Sequence, residues 1–184
     1  MNLTGATHST DILSDKRLLA LIGEMRGGSM KAFEQIYSAL SKPVYTVALR
    51  IAGERTLAED ITQDVFVKLY SSPPDDSVKK PRAYIFAMTH NAAINSLKKM
   101  LRLEDIESAE DIPDGYSLQS AAESRLDIAA ALAKLPRTER EIVALHINGG
   151  FKFREIAQIM GIPAGTAAWR WNKAIKTLRQ ILEE

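Results

Sequence analysis

The stretch from Phe151 to Leu182 constrains the fold more than any other part of the sequence. Its apolar residues recur at three- and four-residue steps up to Met160, which predicts a short amphipathic helix. Gly161 follows where a helix end favours a positive φ, and Pro163 stands where a first helical turn tolerates proline. The second predicted helix carries basic residues beside its apolar face: Arg170, Lys173, Lys176 and Arg179. This arrangement is typical of a helix-turn-helix DNA-binding unit, although a plain helical hairpin would show the same pattern.

The remainder of the chain has helical periodicity and no sustained alternation, so we expect an all-α protein. Thr56 and Glu59 have the spacing of a capping box, as do Thr138 and Glu141, and Pro43 should kink or break the helix that contains it. Helices are predicted at residues 15–26, 29–52, 57–70, 83–100, 126–135 and 138–147, before the helix-turn-helix.

Charge divides the chain into blocks. Residues 101–124 carry one Lys or Arg against seven Asp or Glu, whereas the segments on either side are mildly basic. Acidic content together with Pro113 and Gly115 marks a linker. We therefore expect two small helical domains joined by an acidic linker. The predicted boundaries are a mobile tail at 1–14, an N-terminal domain at 15–100, the linker at 101–124 and a C-terminal domain at 125–184.

The composition excludes several classes of protein. The chain contains no cysteine, so disulfides, zinc–thiolate sites and thiol catalysis are excluded. The N-terminus lacks an apolar signal core, and no apolar run approaches the roughly 20 residues that span a bilayer. We expect a cytoplasmic protein without membrane insertion, cofactor or metal.

The start of the fourth predicted helix combines positive charge with aromatic rings. Lys79, Lys80 and Arg82 precede Tyr84 and Phe86. Rings that stack on bases and cations that follow phosphates suit single-stranded nucleic acid. The alternative is that the rings belong to the core and the lysines are solvated.

Taken in order, these motifs resemble bacterial RNA polymerase sigma factors of the extracytoplasmic-function class over roughly residues 15–100 and 125–182. The N-terminal motifs are Ala58-Glu59-Asp60, Gln63-Asp64, Phe66, Pro81, Tyr84-Ile85-Phe86 and His90-Asn91. The C-terminal motifs are Leu135-Pro136, Arg140-Glu141, Glu155-Ile156-Ala157 and Gly161-Ile162-Pro163-Ala164-Gly165-Thr166.

The resemblance implies a transcription initiation factor with three sets of functional residues. A helix that docks on the polymerase clamp would use Asp60, Gln63, Asp64 and Phe66. Capture and melting of the minus-ten element would involve Lys79, Lys80, Arg82, Tyr84, His90, Asn91 and Asn95. The recognition helix would read the minus-thirty-five element with Thr166, Ala168, Trp169, Arg170 and Lys173. The implied partners are core RNA polymerase, promoter DNA and an anti-sigma factor.

The sequence departs from the family pattern at several of these positions. The family usually has tryptophan, arginine and aspartate where this chain has Tyr84, His90 and Asn95. In the recognition helix, the family's Val-Lys-Ser-Arg-Leu is replaced by residues 167–171, Ala-Ala-Trp-Arg-Trp. Trp171 falls at a core position, whereas Trp169 lies about 200° away, at ~100° per residue. We expect Trp169 to be exposed and to contact either DNA or an inhibitory partner.

Two other functions fit parts of the sequence. An enzyme could use Glu59, Asp60, Asp64 and His90 as metal ligands or as an acid–base pair, but no catalytic motif supports that role. A stand-alone helix-turn-helix regulator would explain residues 125–184 but not the helix that carries Gln63, Asp64 and Phe66.

Overall fold

The structure is a computed structural model that describes residues 13–104 and 130–183. Within these ranges the chain forms helices and short connections, and no strand is present. The expected all-α fold is therefore confirmed. The predicted tail lies outside the described residues except at positions 13 and 14, and the predicted linker lies outside them except at 101–104, which end a helix.

Four helices form the N-terminal half: α1 (Asp15–Arg26), α2 (Met30–Ala52), α3 (Arg55–Ser71) and α4 (Pro81–Glu104). The side chains of Ser14 and Ser29 cap the first two helices, each accepting a hydrogen bond at 3.3 Å from a backbone N–H three residues later. Gly53 ends α2 with φ of 79°, a conformation that glycine adopts without strain.

The predictions made for Pro43 and for the helix caps from local sequence are partly wrong. Pro43 was expected to kink or break α2; the break is wrong, because one helix runs from Met30 to Ala52 through Pro43. Both predicted capping boxes are wrong. Helix α3 begins at Arg55 after Glu54, so Thr56 already lies inside the helix and cannot act as its N-cap.

The second predicted box fails for a similar reason. The next helix begins directly after Pro136, and Glu141 is turned inward instead of back toward Thr138. Its Oε1 lies 3.3 Å from Nε of Arg137, so this carboxylate makes side-chain contacts.

The C-terminal half contains α5 (Arg137–Val143), a π-helical turn (Ala144–Asn148), α6 (Phe153–Met160) and α7 (Ala164–Glu183). Residues 130–133 are also helical. Gly161 joins α6 to α7 with φ of 66°, and the Ile162 N–H donates to the carbonyl oxygen of Ala157 at 3.0 Å. The helix–turn–helix geometry predicted from the sequence is confirmed.

The two halves of the molecule share one apolar core. The N-terminal helices bury residues such as Leu21, Leu40 and Phe86, and the C-terminal half adds Leu145 and Ile156 to the same cluster. Contacts between α4 and α6, and between α2 and the π-helical turn, connect the halves. The two sequence-predicted domains are therefore in direct contact, which the sequence did not indicate.

Among the described residues, no helix has both the length and the apolar character needed to cross a membrane. The same residues contain no cluster of three or more His, Asp or Glu side chains able to hold a metal ion.

Candidate nucleic-acid and protein interfaces

Helix α3 presents a polar row to solvent and an apolar row to the core. Asp60, Gln63 and Asp64 are exposed. Phe66, predicted to act with them, is only 2% exposed. The three polar side chains can therefore touch a partner directly, whereas Phe66 can only support the surface from below. Their role in binding polymerase stays a prediction.

Beside this polar row lies an apolar groove between α2 and α3, with a volume of about 780 Å³. Its walls include large apolar side chains that remain exposed: Met30 (52%), Tyr37 (47%), Val67 (57%) and Tyr70 (44%). The floor is formed by Phe33 and Phe66, whose rings pack against the two wall tyrosines. The ring centroids of Tyr37 and Phe66 are 4.8 Å apart, and those of Phe33 and Tyr70 are 5.1 Å apart.

The groove and the polar row together make one surface, which we call the α3 surface. Gln63 lines the groove. Asp60 and Asp64 lie next to the groove, about 60° and 100° around the helix from Gln63 at ~100° per residue. Exposed apolar walls with an acidic edge are suited to an amphipathic helix that carries basic residues.

The predicted minus-ten residues lie on two sides of α4. Tyr84, Asn91 and Asn95 fall within about 40° of one another around the helix. Asn91 and Asn95 are exposed, and Tyr84 is half-buried. A ring and two amides on one face can stack on a base and form hydrogen bonds to base edges.

The other side of α4 faces the C-terminal half. His90 is 8% exposed, and its Nε2 lies 3.3 Å from Oε2 of Glu141. The Arg82 guanidinium donates a hydrogen bond to the carbonyl oxygen of Gly149 and lies 4.6 Å from the Phe151 ring centroid. These two predicted minus-ten residues are therefore occupied by contacts within the protein.

The connection before α4 is held by its own polar contacts. Asp75 accepts hydrogen bonds from the backbone N–H and the hydroxyl of Ser77, which lower the pKa of its carboxyl. Arg26 pairs with Asp76, and Lys79 donates to the Asp76 carbonyl oxygen at 2.9 Å. Both Lys79 and Lys80 are exposed at the entry to α4, so their side chains can reach a phosphate backbone.

The recognition helix α7 exposes part of its predicted reading face. Trp169 is 59% exposed, as its position around the helix predicted. Thr166, Ala168 and Arg170 are half-buried. The Nζ of Lys173 lies 5.6 Å from the Trp169 ring centroid and 3.1 Å from Oε1 of Glu139.

An aromatic cluster fixes α7 against the rest of the C-terminal half. The ring centroid of His146 is 4.8 Å from that of Phe153 and 4.5 Å from that of Trp171. The Nδ1 of His146 lies 2.8 Å from the Phe151 carbonyl oxygen and so donates to it. Trp171 packs against both core clusters, which confirms its predicted core position.

Sequence reasoning missed two features of these surfaces. Val67 lies about 200° around α3 from Val65 of the buried row. The same helical geometry that predicts an exposed Trp169 therefore predicts an exposed Val67. Glu141 was predicted to belong to a capping box with Thr138, and no local sequence pattern links it to His90, 51 residues away.

Comparisons with known proteins give a consistent result. Residues 36–102 match the Sigma-70 region 2 family, and residues 125–178 match the Sigma-70, region 4 family. The chain is 29% identical over 157 residues to the ECF RNA polymerase sigma factor SigL of Mycobacterium tuberculosis, covering 81% of this chain and 88% of SigL. It is 22% identical over 192 residues to the ECF sigma factor SigK of Mycobacterium ulcerans, covering 98% and 99%.

A solved structure shares the fold. It is the sigma factor RpoE in complex with the anti-sigma factor NepR from Bartonella quintana, with a TM-score of 0.67 at 22% identity. The match covers 84% of this chain and 98% of that chain.

Proposed function

This chain belongs to the sigma-70 family, in its extracytoplasmic-function class, and we propose that its α3 surface, α4 and α7 divide the work of promoter recognition. The family consists of transcription initiation factors that bind core RNA polymerase and direct it to promoters. The alternative of a stand-alone helix-turn-helix regulator is not favoured, because residues 36–102 form a second matching region outside the helix-turn-helix.

The α3 surface docks on core polymerase in this proposal. Its exposed Asp60, Gln63 and Asp64 give it an acidic edge that suits basic residues on the partner. The neighbouring groove supplies exposed apolar area from Tyr37 and Val67, which can anchor a partner helix.

Helix α4 captures the minus-ten strand. The observation that carries this role is the shared face of Tyr84, Asn91 and Asn95, because a flipped base needs both a stacking surface and hydrogen-bond partners. Lys79 and Lys80 are exposed at the entry to the helix and supply positive charge for the phosphates. Arg82 and His90 would add to this site only after leaving their partners Gly149 and Glu141.

Helix α7 reads the minus-thirty-five element from the major groove. Trp169 and Arg170 stand in its second turn, within reach of base edges, and Thr166 and Ala168 lie close to the turn. Lys173 adds positive charge one turn further along. An indole offers an apolar face to thymine methyl groups, so a DNA contact by Trp169 would favour T-containing steps.

The same proposal covers partners and location. An anti-sigma factor binds this chain and holds it inactive; a protein of the same fold, the sigma factor RpoE, is in complex with the anti-sigma factor NepR in its structure. Trp169 is a candidate anchor for that partner, because tryptophan is enriched in interface hot spots. The chain acts in the cytoplasm, where its polymerase is, and performs no catalysis of its own.

The acidic linker predicted at 101–124 enters the polymerase's basic RNA channel as a nucleic-acid mimic. The support is its composition, one basic residue against seven acidic ones. Most of this segment lies outside the described residues.

Reconstituted transcription tests the proposed function. Purified chain and bacterial core polymerase are incubated with a library of promoter fragments from the source genome. We expect specific transcripts only when both proteins are present. DNA binding by the chain alone, with no copurification of core polymerase, would instead identify a stand-alone regulator.

A further inference from the structure

Glu139 is a charged residue on the buried side of α5. It stands in the first turn of the helix, where a carboxylate is favoured electrostatically, yet its side chain is only 1% exposed. Val143 follows one turn later on the same side and belongs to the core cluster that includes Ala174 of α7. The side of α5 that carries Glu139 therefore packs against the recognition helix.

The recognition helix supplies a partner for this buried carboxylate. Nζ of Lys173 lies 3.1 Å from Oε1 of Glu139, whereas Oε2 is buried and accepts no hydrogen bond from the described residues. Ion pairs between exposed residues contribute little and hold their side chains weakly. A buried carboxylate differs, because the loss of its partner leaves an uncompensated charge inside the protein. Glu139 therefore restrains Lys173 more strongly than a surface carboxylate would.

The indole of Trp169 lies close to the same ammonium group. Nζ of Lys173 is 5.6 Å from the ring centroid, which is within the range of a cation–π contact. Trp169 and Lys173 are four residues apart, so both side chains lie on one side of α7. The carboxylate and the ring together fix the position of the ammonium group.

The restrained ammonium group can still bind an anion. A lysine has three N–H donors, and the Lys173 side chain is 54% exposed, so donors remain for a phosphate that shares the group with Glu139. Lys176 provides a contrast, because it is exposed on the same helix and forms no ion pair with the described residues. A flexible lysine follows phosphates in many registers, whereas a fixed one meets a phosphate in one register only.

We propose that Glu139 is a positioning residue for minus-thirty-five recognition. It fixes the Lys173 ammonium group so that this lysine contacts a phosphate only when α7 is docked in one register. Lys173 then strengthens binding to the promoter element and adds little to binding of other sequences, which raises discrimination between them. The proposal rests on the proposed function, because it takes α7 as the helix that reads duplex DNA.

Glu139→Gln tests the positioning role, because it removes the charge and keeps the size of the side chain. Lysine ammonium groups of the full chain are first observed by heteronuclear NMR without DNA, and Lys173→Met identifies the signal of Lys173. We expect a resolved Lys173 signal in the parent chain, since a fixed ammonium group exchanges its protons slowly with water. Glu139→Gln should lose that signal, and Lys176 should give none in either chain.

The second measurement uses the full chain assembled with core polymerase. The parent holoenzyme enriches duplexes from a randomised pool, and affinities for the enriched duplex and for the unselected pool are measured from about 50 to about 200 mM salt. We expect Glu139→Gln to lose about threefold more affinity for the pool over this range, as one additional phosphate contact requires. Its salt dependence on the enriched duplex should equal that of the parent. Discrimination at the lower salt concentration should fall about tenfold.

Glu141→Gln is the matched control. Glu141 is also buried on α5 and loses the same charge, but its ion-pair partners are His90 and Arg137. This variant should keep the Lys173 signal and the parental salt dependence. In a Lys173→Met chain, Glu139→Gln should leave discrimination unchanged, because its effect passes through the lysine. Circular dichroism checks that each variant is folded.

The positioning role would be overturned by a parent chain without a resolved Lys173 signal or by a Glu139→Gln chain that keeps it. An unchanged salt dependence on the pool, or a loss of discrimination that persists in the Lys173→Met chain, would also contradict it. If the parent holoenzyme enriches no sequence, the proposed function fails and the positioning role fails with it. If it enriches a sequence and Glu139→Gln discriminates equally well, the proposed function stands and only the positioning role fails.

Discussion

The Nζ of Lys173 lies 3.1 Å from Oε1 of Glu139, a carboxylate that is only 1% exposed. The other oxygen of Glu139 is buried and accepts no hydrogen bond from the described residues. A residue assigned to DNA recognition therefore also compensates a buried charge. Its side chain cannot reach a phosphate without weakening that compensation.

Removing Lys173 should destabilise the C-terminal half. We predict that Lys173→Met lowers the free energy of unfolding by about 1–3 kcal/mol, because a buried carboxylate loses its partner; the half-exposed lysine keeps the cost below that of a fully buried pair. Thermal denaturation followed by circular dichroism measures the loss. Lys176→Met, at an exposed position on the same helix, is the control and should shift stability by no more than about 0.5 kcal/mol. Equal stability of the two variants would show that the ion pair is not stabilising.

Phe66 and Val67 should separate folding from binding on the α3 surface. Phe66 is buried in the aromatic floor of the groove, so Phe66→Ala should cost about 3–5 kcal/mol of stability. Val67 is 57% exposed, so Val67→Ser should leave stability almost unchanged and weaken core-polymerase affinity by about tenfold. Denaturant unfolding and polymerase titration measure the two effects. A Val67→Ser chain with parental affinity would remove the groove from the docking surface.

Trp169 should reveal whether its indole contacts DNA or an inhibitor. Trp169→Ser is compared with the parent chain in inhibitor-free reconstituted transcription and in binding to an anti-sigma factor. We expect retained promoter activity with at least about tenfold weaker inhibitor binding, as is typical of a buried tryptophan anchor. Loss of promoter activity would assign the side chain to DNA instead, and parental behaviour in both assays would leave it without either role.

The buried faces of single helices could be predicted from sequence because their spacing is local. Leu18, Leu21, Ile22 and Met25 recur at three- and four-residue steps along α1, which predicts a single inner face, and all four are buried. Periodicity gives the position of a residue around its helix, but it does not show which neighbouring helix covers that position. Tyr37 lies next to buried Ile36 and three residues before buried Leu40, a spacing that predicts an inward position, yet it forms an exposed wall of the groove.

Contacts between distant segments were not predictable in the same way. His90 was assigned to DNA from its place in a motif, whereas its burial depends on Glu141 in the other half of the chain. No pattern in either segment encodes that pairing. The order of motifs was enough to identify the family, because each motif is short and its position relative to the others carries the information.

Binding of core RNA polymerase by the α3 surface is the central claim, and charge reversal tests it most directly. The chain with Asp60→Lys and Asp64→Lys is titrated against core polymerase and compared with the parent and with a Glu24→Lys, Glu54→Lys control. Both carboxylates are exposed, so the variant should stay folded. We predict that it loses polymerase affinity by at least about a hundredfold, because like charges then face the basic partner, while the control binds as the parent does. Parental affinity in the Asp60→Lys, Asp64→Lys chain would contradict the account.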